Sequence, residues 1–578
     1  MTDAPRPIAD AVRQRLARRH RAEGRFRMFG VGAIVLAIAF LAVLIGSIIA
    51  QSTGAFTTYT LTLPITIERE VADPRGDMSE ASLRRGSYNQ LIQRALQAEL
   101  PAASSRTELR DLFSLYSGLN AAPVMRRVVA DPSLIGQEIS VSMPVNHEID
   151  LYLKGITVRE DRQPGEGAIT MDADGDEVRL TGEMPVFARF VSRIRAQAED
   201  ERQEALSRAA RAQAQAGMAE SRDAREAALA AERRAFADAE RFETIIDPET
   251  SILLGARTAS LLIGVNGGVI SVSAVSPDGR TAQGSVLLPL ESDAASSDWT
   301  EWVIETPPAA RRVGDLQAIY ARTLEERGLI DQRFNTRLFL NADSREPELA
   351  GVMGAFIGSI LTMLVTMLLA VPIGVGTAIY LEEFAPKTRL TGFIEVNINN
   401  LAAVPSIVFG LLGLAVFINA FGLPRSAPLV GGMVLALMTL PTVIISSRAA
   451  LRAVPPSIRE AALGVGASKT QAVFQHVLPL AMPGILTGSI IGLAQALGET
   501  APLLMIGMVA FVADAPSLGL AGLTQPSTVM PVQVFLWSGA SERAFEMRTA
   551  AAILVLLTLM ILFNAVAIYL RRRFERRW

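Results

Sequence analysis

The chain has 578 residues, half of them hydrophobic, with 55 basic against 58 acidic side chains and a formal net charge of −3. That length excludes a single ordinary domain, and that apolarity excludes a purely soluble protein. Cysteine is absent and the three histidines, His20, His147 and His476, are scattered, which excludes a disulfide framework, a thiolate nucleophile and a Cys-ligated or His-rich metal centre.

Residues 1–27 form an arginine-rich tail carrying Arg6, Arg13, Arg15, Arg18, Arg19, Arg21, Arg25 and Arg27. The apolar run that follows, residues 28–50, meets the roughly 20 residues that a bilayer core requires. A cleaved signal peptide is the rival, but this run is too long and its cationic flank too large, so it reads as a membrane anchor.

Residues 51–348 are polar enough to fold as an α+β domain. Thr58 to Ile67 alternates as a strand does, and so do Glu138 to Met143 and Glu148 to Leu153. Arg257 to Pro289 is rich in Val and Ile and is punctuated by Gly267-Gly268 and Pro277-Asp278-Gly279, which predicts hairpins. Val191 to Phe242 is dense in Ala, Arg, Glu and Gln, lacks proline and has one glycine, Gly217, so it predicts a long exposed helix or a helical hairpin bending there. A solvated face is preferred over a docking arm. Its charges are too mixed for a nucleic-acid surface. The segment shows no catalytic constellation.

Within residues 349–570 five more apolar runs follow, at about 349–380, 393–421, 429–447, 477–512 and 549–570, making six spans with the first. Residues 571–578 form a second basic tail with Arg571, Arg572, Arg573, Arg576 and Arg577. Positive flanks stay on the cytoplasmic side, so both termini are expected inside, the span count even and the 51–348 domain outside. The run 477–512 is too long for one crossing and is expected as a tilted helix broken near Gly498 or Pro502. Gly484, Gly488 and Gly492 mark a small-residue face, open to packing within the chain or against a partner subunit.

The polar residues in these spans are the site candidates. Gln495 precedes Gly498-Glu499-Thr500-Ala501-Pro502, and an ionisable residue inside a span costs about 2.5–3.5 kcal/mol on insertion scales, so Glu499 reads either as a pathway group or as part of a structural ion pair, for instance with Arg448. Asn397 and Asn400 share a helical face near Glu395 and Asn399, where hydrogen bonding between helices is preferred over substrate contact. Arg448, ending the fourth span, reads as a snorkelling cation or as a neutraliser of an anion at the inner gate. Gly464 to Thr470 lacks the Gly-Lys pair of a phosphate-binding loop, Ser468 standing before Lys469, and no strand leads into it. The chain therefore carries no ATP site of its own.

Between the fourth and fifth spans stands Arg459-Glu460-Ala461-Ala462-Leu463-Gly464-Val465-Gly466, then His476 and Leu478-Pro479. Arg459 and Glu460 would solvate one face of a short helix, Ala461 and Ala462 would allow close backbone approach, and Gly466 would turn the chain before Lys469. The stretch 457–478 resembles the EAA loop of permease subunits in ATP-driven importers, a helix that fits a groove on a separate ATPase. Pro372 to Glu383, Phe393 to Leu401, Val404 to Gly410 and Ala496 to Leu504 resemble PstA-type permeases of the phosphate importer, and the Gly-Glu-Thr-Ala-Pro-Leu-Leu run is the most specific to phosphate.

The resemblance implies an all-α polytopic membrane domain of the type I ABC importer fold, with six transmembrane helices and the α+β domain inserted on its periplasmic side. It implies a PstC-like second permease, a PstB-like ATPase dimer that uses the ATP, a PstS-like periplasmic binding protein, and inorganic phosphate as substrate, in the lipid of a bacterial inner membrane. Glu460, Ala461, Ala462 and Gly466 become coupling residues, and Arg448, Gln495, Glu499, Thr500, Asn397 and Asn400 pathway candidates. No cofactor, metal or catalytic residue is implied. Two positions depart from the family pattern: His476 stands where an apolar residue is usual, and Gln495 where arginine is frequent. A permease for another oxyanion, such as phosphonate or molybdate, is the nearest alternative. A membrane sensor with an outside domain is the more distant one, since it would require a cytoplasmic output domain.

Overall fold

A computed structural model of the protein describes residues 8–175, 177–509 and 511–574. The chain divides into two units, Thr58–Arg333 on the one hand and Met1–Thr57 with Phe334–Trp578 on the other. Of the flanking arginines, Arg6, Arg576 and Arg577 lie outside the described residues. Helix α1 (Ile8–Ser52) carries the first apolar run.

In the Thr58–Arg333 unit, the alternation of strand β1 (Thr57–Thr66) buries Leu61, Leu63 and Ile65 on one face. It pairs antiparallel with β2 (Glu138–Pro144). The alternation over Glu148 to Leu153 does not make a strand. It belongs to helix α2 (His147–Leu153), because Asn146 accepts the Glu148 N–H at 2.9 Å as N-cap and every residue from Ile149 to Leu153 is buried.

A larger antiparallel sheet follows, built from β3 (Glu160–Pro164), β4 (Ile169–Asp174) and β5 (Glu177–Gly182). After the helices it gains β6 (Ser260–Val265), β7 (Gly268–Val275), β8 (Thr281–Leu288) and β9 (Trp299–Ile304). Its order is β3-β9-β6-β7-β8-β5-β4. The expected hairpin turns are there: Asn266 and Gly267 both take positive φ between β6 and β7, and Gly279 does so between β7 and β8. Strand β10 (Ile330–Phe334) joins β1 in the smaller sheet.

The alanine-rich stretch is a helical hairpin, α3 (Ala188–Met218) and α4 (Arg222–Ile246), reversing just after Gly217. The two helices pack together, and Ala205, Ala209, Ala212 and Ala216 on α3 and Ala235 and Ala239 on α4 are buried, a close approach that small side chains permit. The charged residues lie outward, in pairs such as Arg202–Glu199 on the same helix.

In the other unit, helices α1, α5 (Met353–Phe384), α8 (Pro428–Arg452), α10 (Lys469–Gly498) and α13 (Ala544–Arg573) are long and apolar enough to cross a membrane. Between α5 and α8 lie α6 (Arg389–Ala402) and α7 (Ser406–Ala420), bent by 104° at the intervening break. The unbroken span expected over 393–421 is therefore corrected. Pro405 has no N–H to donate and drives the preceding residue out of helical geometry. Among the described residues, six helices long and apolar enough to cross a membrane result only if this pair counts as one.

Helix α10 starts eight residues before the expected Val477 and ends at Gly498. Glu499 is extended, with φ −81° and ψ 123°, and helix α11 (Ala501–Met505) follows with Pro502 in its first turn. The break expected near Gly498 is thus present. The glycine face of α10 packs within the chain, against α8: a Cβ at Gly488 would stand 1.9 Å from Ser446 Oγ, and one at Gly484 2.7 Å from the Ala450 Cβ. A short helix, α12 (Met530–Ser538), precedes α13 and was not expected.

Candidate functional site

The motif between α8 and α10 folds as a helix–turn–helix for local reasons. Pro456 opens helix α9 (Pro456–Gly464) at its first position, where its missing N–H costs nothing. Gly466 takes φ 93° just past the end. The Gly466 N–H then reaches the Leu463 carbonyl at 3.0 Å and the Ala467 N–H the Ala462 carbonyl at 3.1 Å, a Schellman closure. Ser468 starts α10 with a capping box: its Oγ accepts the Gln471 N–H at 3.3 Å, and Gln471 Oε1 accepts the Ser468 N–H at 2.9 Å.

On this motif Glu460 and Ala461 are exposed while Ala462 is buried. Leu463 and Val465, 50% and 86% exposed, add apolar surface beside them. Arg459 does not solvate the helix as expected. It folds back onto Glu383, whose side chain is only 7% exposed, with Nη2–Oε1 at 2.6 Å and Nε–Oε1 at 3.0 Å. The same guanidinium donates to the Leu451 and Val454 carbonyls, each at 2.8 Å, and so satisfies carbonyls at the end of α8.

Glu383 sits in the last turn of α5, Tyr380–Phe384, a π turn closed by the Ala385 N–H to the Tyr380 carbonyl at 2.8 Å. Its neighbours on both sides are engaged too. Glu382 accepts Arg452 Nε at 2.8 Å and stands 3.5 Å from Arg448 Nε. The Phe384 ring lies under Lys469 Nζ, 5.4 Å from the centroid. Arg448 also donates Nη2 to Glu395 of α6 at 2.7 Å. Three consecutive residues at the end of α5 thus hold cations from α8, α9 and α10.

The other candidates fall elsewhere. Arg448 does not snorkel: its side chain is 14% exposed and bridges two carboxylates, neither of them Glu499. Asn397 is exposed and donates Nδ2 to the Phe393 carbonyl of its own helix at 2.7 Å, so it makes no bond between helices, and Asn400 is exposed. Gln495 is exposed at the far end of α10, with Glu499 and Thr500 half-buried just beyond it. Among the described residues, none of these three side chains has a hydrogen-bond or ion-pair partner. Along a helical rise, Glu499 lies roughly 45 Å from Lys469, so pathway and coupling candidates occupy opposite ends of one helix. His476 lines an open cleft of about 620 Å³ with Pro455, Ile458, Gln475, Pro479 and Leu480.

Glu382, Arg452 and Lys469 had not been singled out from the sequence. Their signal was there, two acids directly after one apolar run and cations scattered over the polar loop that follows the fourth span, but nothing in the order of residues pairs them.

A polytopic helical unit presenting a braced helix–turn–helix between two membrane-length helices has the build of a transport permease. Residues 370–578 match the family described as binding-protein-dependent transport system inner membrane component, and residues 13–163 match a domain of unknown function, DUF3333. The phosphate transport system permease protein PstA 1 of Mycobacterium tuberculosis is 33% identical over 221 residues, 38% of this chain and 70% of that protein. The probable ABC transporter permease protein YqgI of Bacillus subtilis is 32% identical over 186 residues, 32% of this chain and 61% of that protein. Among solved structures, an inward-facing MetNI methionine ABC transporter is 18% identical, covering 39% of this chain and 96% of that one, with a TM-score of 0.30. The chain belongs to the PstA-type family of ABC importer permease subunits.

Proposed function

We propose that the protein is the permease subunit of an ATP-driven importer of inorganic phosphate. The observation that carries the reading is the α9 turn. It is a short helix opened by Pro456, closed by the Schellman turn at Gly466 and held to Glu383 by Arg459, with Glu460, Ala461, Leu463 and Val465 exposed at it. A rigid, partly apolar protrusion of this size suits a groove on a partner protein. The partner is a separate PstB-like ATPase dimer, which uses the ATP, and Glu460, Ala461, Ala462 and Gly466 are the coupling residues. Phosphate is supported by the similarity to PstA 1 and by the Gly498-to-Leu504 run.

A PstC-like permease would complete the pathway and a PstS-like binding protein would deliver the ion. Glu499, Thr500 and Gln495, unpartnered at the end of α10, are the pathway groups. Arg448 would reach an anion only by giving up Glu395 or Glu382. The positive-inside bias places α9 and both basic tails in the cytoplasm of a bacterial inner membrane and the Thr58–Arg333 unit outside it.

The test is radiolabelled phosphate uptake in a strain lacking the chain, complemented with wild type, Glu460→Arg or Glu499→Gln after membrane expression is verified. Uptake restored by wild type alone supports the reading. High-affinity uptake that persists without the chain, in a strain with no second copy of the system, shows phosphate to be the wrong substrate and moves the search to other oxyanions.

A further inference from the structure

Helix α9 is joined by the backbone to α8 through Ala453 to Pro455 and, across one turn, to α10. Any displacement of α9 reaches those two helices through covalent bonds. It has no such path to α5, which ends 72 positions before α9 begins. Apolar packing also joins them, since Ala378 and Ile379 of α5 share a buried cluster with Leu451, Val454, Val473 and Val477, and Ile458 of α9 packs at its edge. Such packing is non-directional, however, and a cleft of about 550 Å³ opens beside it between α5 and α10.

The directional ties between α5 and the motif are polar and cationic side chains. Glu383 holds Arg459 on the first arm of the helix–turn–helix, and Phe384 holds Lys469 at the start of the second. The Arg459 fork is fixed by four further or shared bonds, to both Glu383 oxygens and to the Leu451 and Val454 carbonyls, which leaves it little rotational freedom. Because the two grips come from adjacent residues on a widened turn, α9 can neither slide nor rotate against the end of α5 without breaking one of them.

We propose that Glu383 and Arg459, seconded by Phe384 and Lys469, form a clasp that carries displacement of the coupling helix into α5. They are positioning residues: they touch neither ATP nor the transported ion. The proposal rests on the importer reading given above and adds a non-covalent route to it.

The full complex in proteoliposomes tests this, with ATP hydrolysis and phosphate uptake read in the same vesicles. Replacing both partners, as Glu383→Leu with Arg459→Met, removes the clasp without stranding a buried charge. ATP hydrolysis should persist while uptake per ATP falls on the order of tenfold, a usual size for coupling between sites. The chain has no cysteine of its own, so Glu383→Cys with Arg459→Cys can be bridged by a cleavable bis-methanethiosulfonate linker. Bridging should restore uptake per ATP and reductant should abolish it again, which loss of folding would not do. Uptake per ATP equal to wild type in the unbridged pair overturns the proposal. Should the apolar pair not assemble, Arg459→Lys keeps the charge and loses the fork, and an unchanged ratio there is equally decisive.

A readout without substrate separates the clasp from the identity of the ion. Spin labels at Ile373→Cys on α5 and Ile561→Cys on α13, both exposed positions, should show an ATP-dependent distance change that the apolar pair loses. A change that survives in the apolar pair sinks the clasp even if the importer proves to carry something other than phosphate.

Discussion

Glu383 and Arg459 stand 76 positions apart in the chain and meet as a bidentate ion pair, with the carboxylate almost fully enclosed. Removing one partner strands a buried charge, whereas removing both does not. Arg459→Ala should therefore cost roughly 3 kcal/mol, the low end for a broken buried pair because the arginine remains 23% exposed. Glu383→Leu with Arg459→Met should cost much less. Thermal unfolding in detergent checks this, and equal losses in the single and the double variant would contradict it.

The close approach of α8 and α10 makes a graded prediction along one glycine face. A Cβ at Gly488 would clash with Ser446 Oγ at 1.9 Å, while at Gly492 the nearest atom is Val443 Cγ2 at an ordinary 3.7 Å. Gly488→Ala should lose about 1–3 kcal/mol by overpacking and Gly492→Ala little or nothing. Adding Ser446→Gly to Gly488→Ala should recover part of the loss. Melting temperatures of the four proteins decide, and a Gly492→Ala penalty as large as that of Gly488→Ala would refute the packing argument.

Features written in neighbouring residues were legible in the sequence. The turn at Gly267, read as Gly267-Gly268 and found one residue earlier at Asn266-Gly267, the reversal at Gly217, the Gly466 turn and the end of α10 at Gly498 all follow from local chemistry. The Glu148 to Leu153 stretch was misread because alternation and a capped helix compete, and the Asn146 cap wins. The α6–α7 bend was masked by continuous apolarity, although Pro405 stood in plain view. The candidate site was legible only in part. Its exposed residues lie in one motif, but Glu382, Glu383, Arg452 and Arg459 are joined by pairings 70 and 76 positions apart, which periodicity does not encode.

Two glycines in one turn should respond in opposite directions. Gly464 is helical with open space around its Cβ position, so Gly464→Ala should gain up to about 1 kcal/mol of helix stability. Gly466 also has open space, but at φ 93° an alanine is strained by roughly 1–2 kcal/mol. Gly466→Ala should thus weaken retention of the ATPase during purification while Gly464→Ala does not. Equal retention in both variants, at matched expression, would mean that the left-handed turn does not shape the coupling surface.

Buried Glu301 on β9 supplies a pH-dependent prediction for the Thr58–Arg333 unit. Burial pushes its carboxyl above the ordinary value, a rise that Arg193 and Arg189 oppose and Asp161 and Glu166 reinforce. Because the folded value is raised, the unfolded chain releases this proton first. The contribution of Glu301 to stability is then intact below the unfolded value, near pH 4.3, and is lost as pH rises through the folded one. Glu301→Gln removes that decline and leaves the other groups titrating as before. The difference in melting temperature, variant minus wild type, should therefore rise from about pH 4 to about pH 8, followed by fluorescence of the buried Trp299 and Trp302 beside it. A flat difference over that interval would show that the Glu301 carboxylate is paired well enough to ionise without cost.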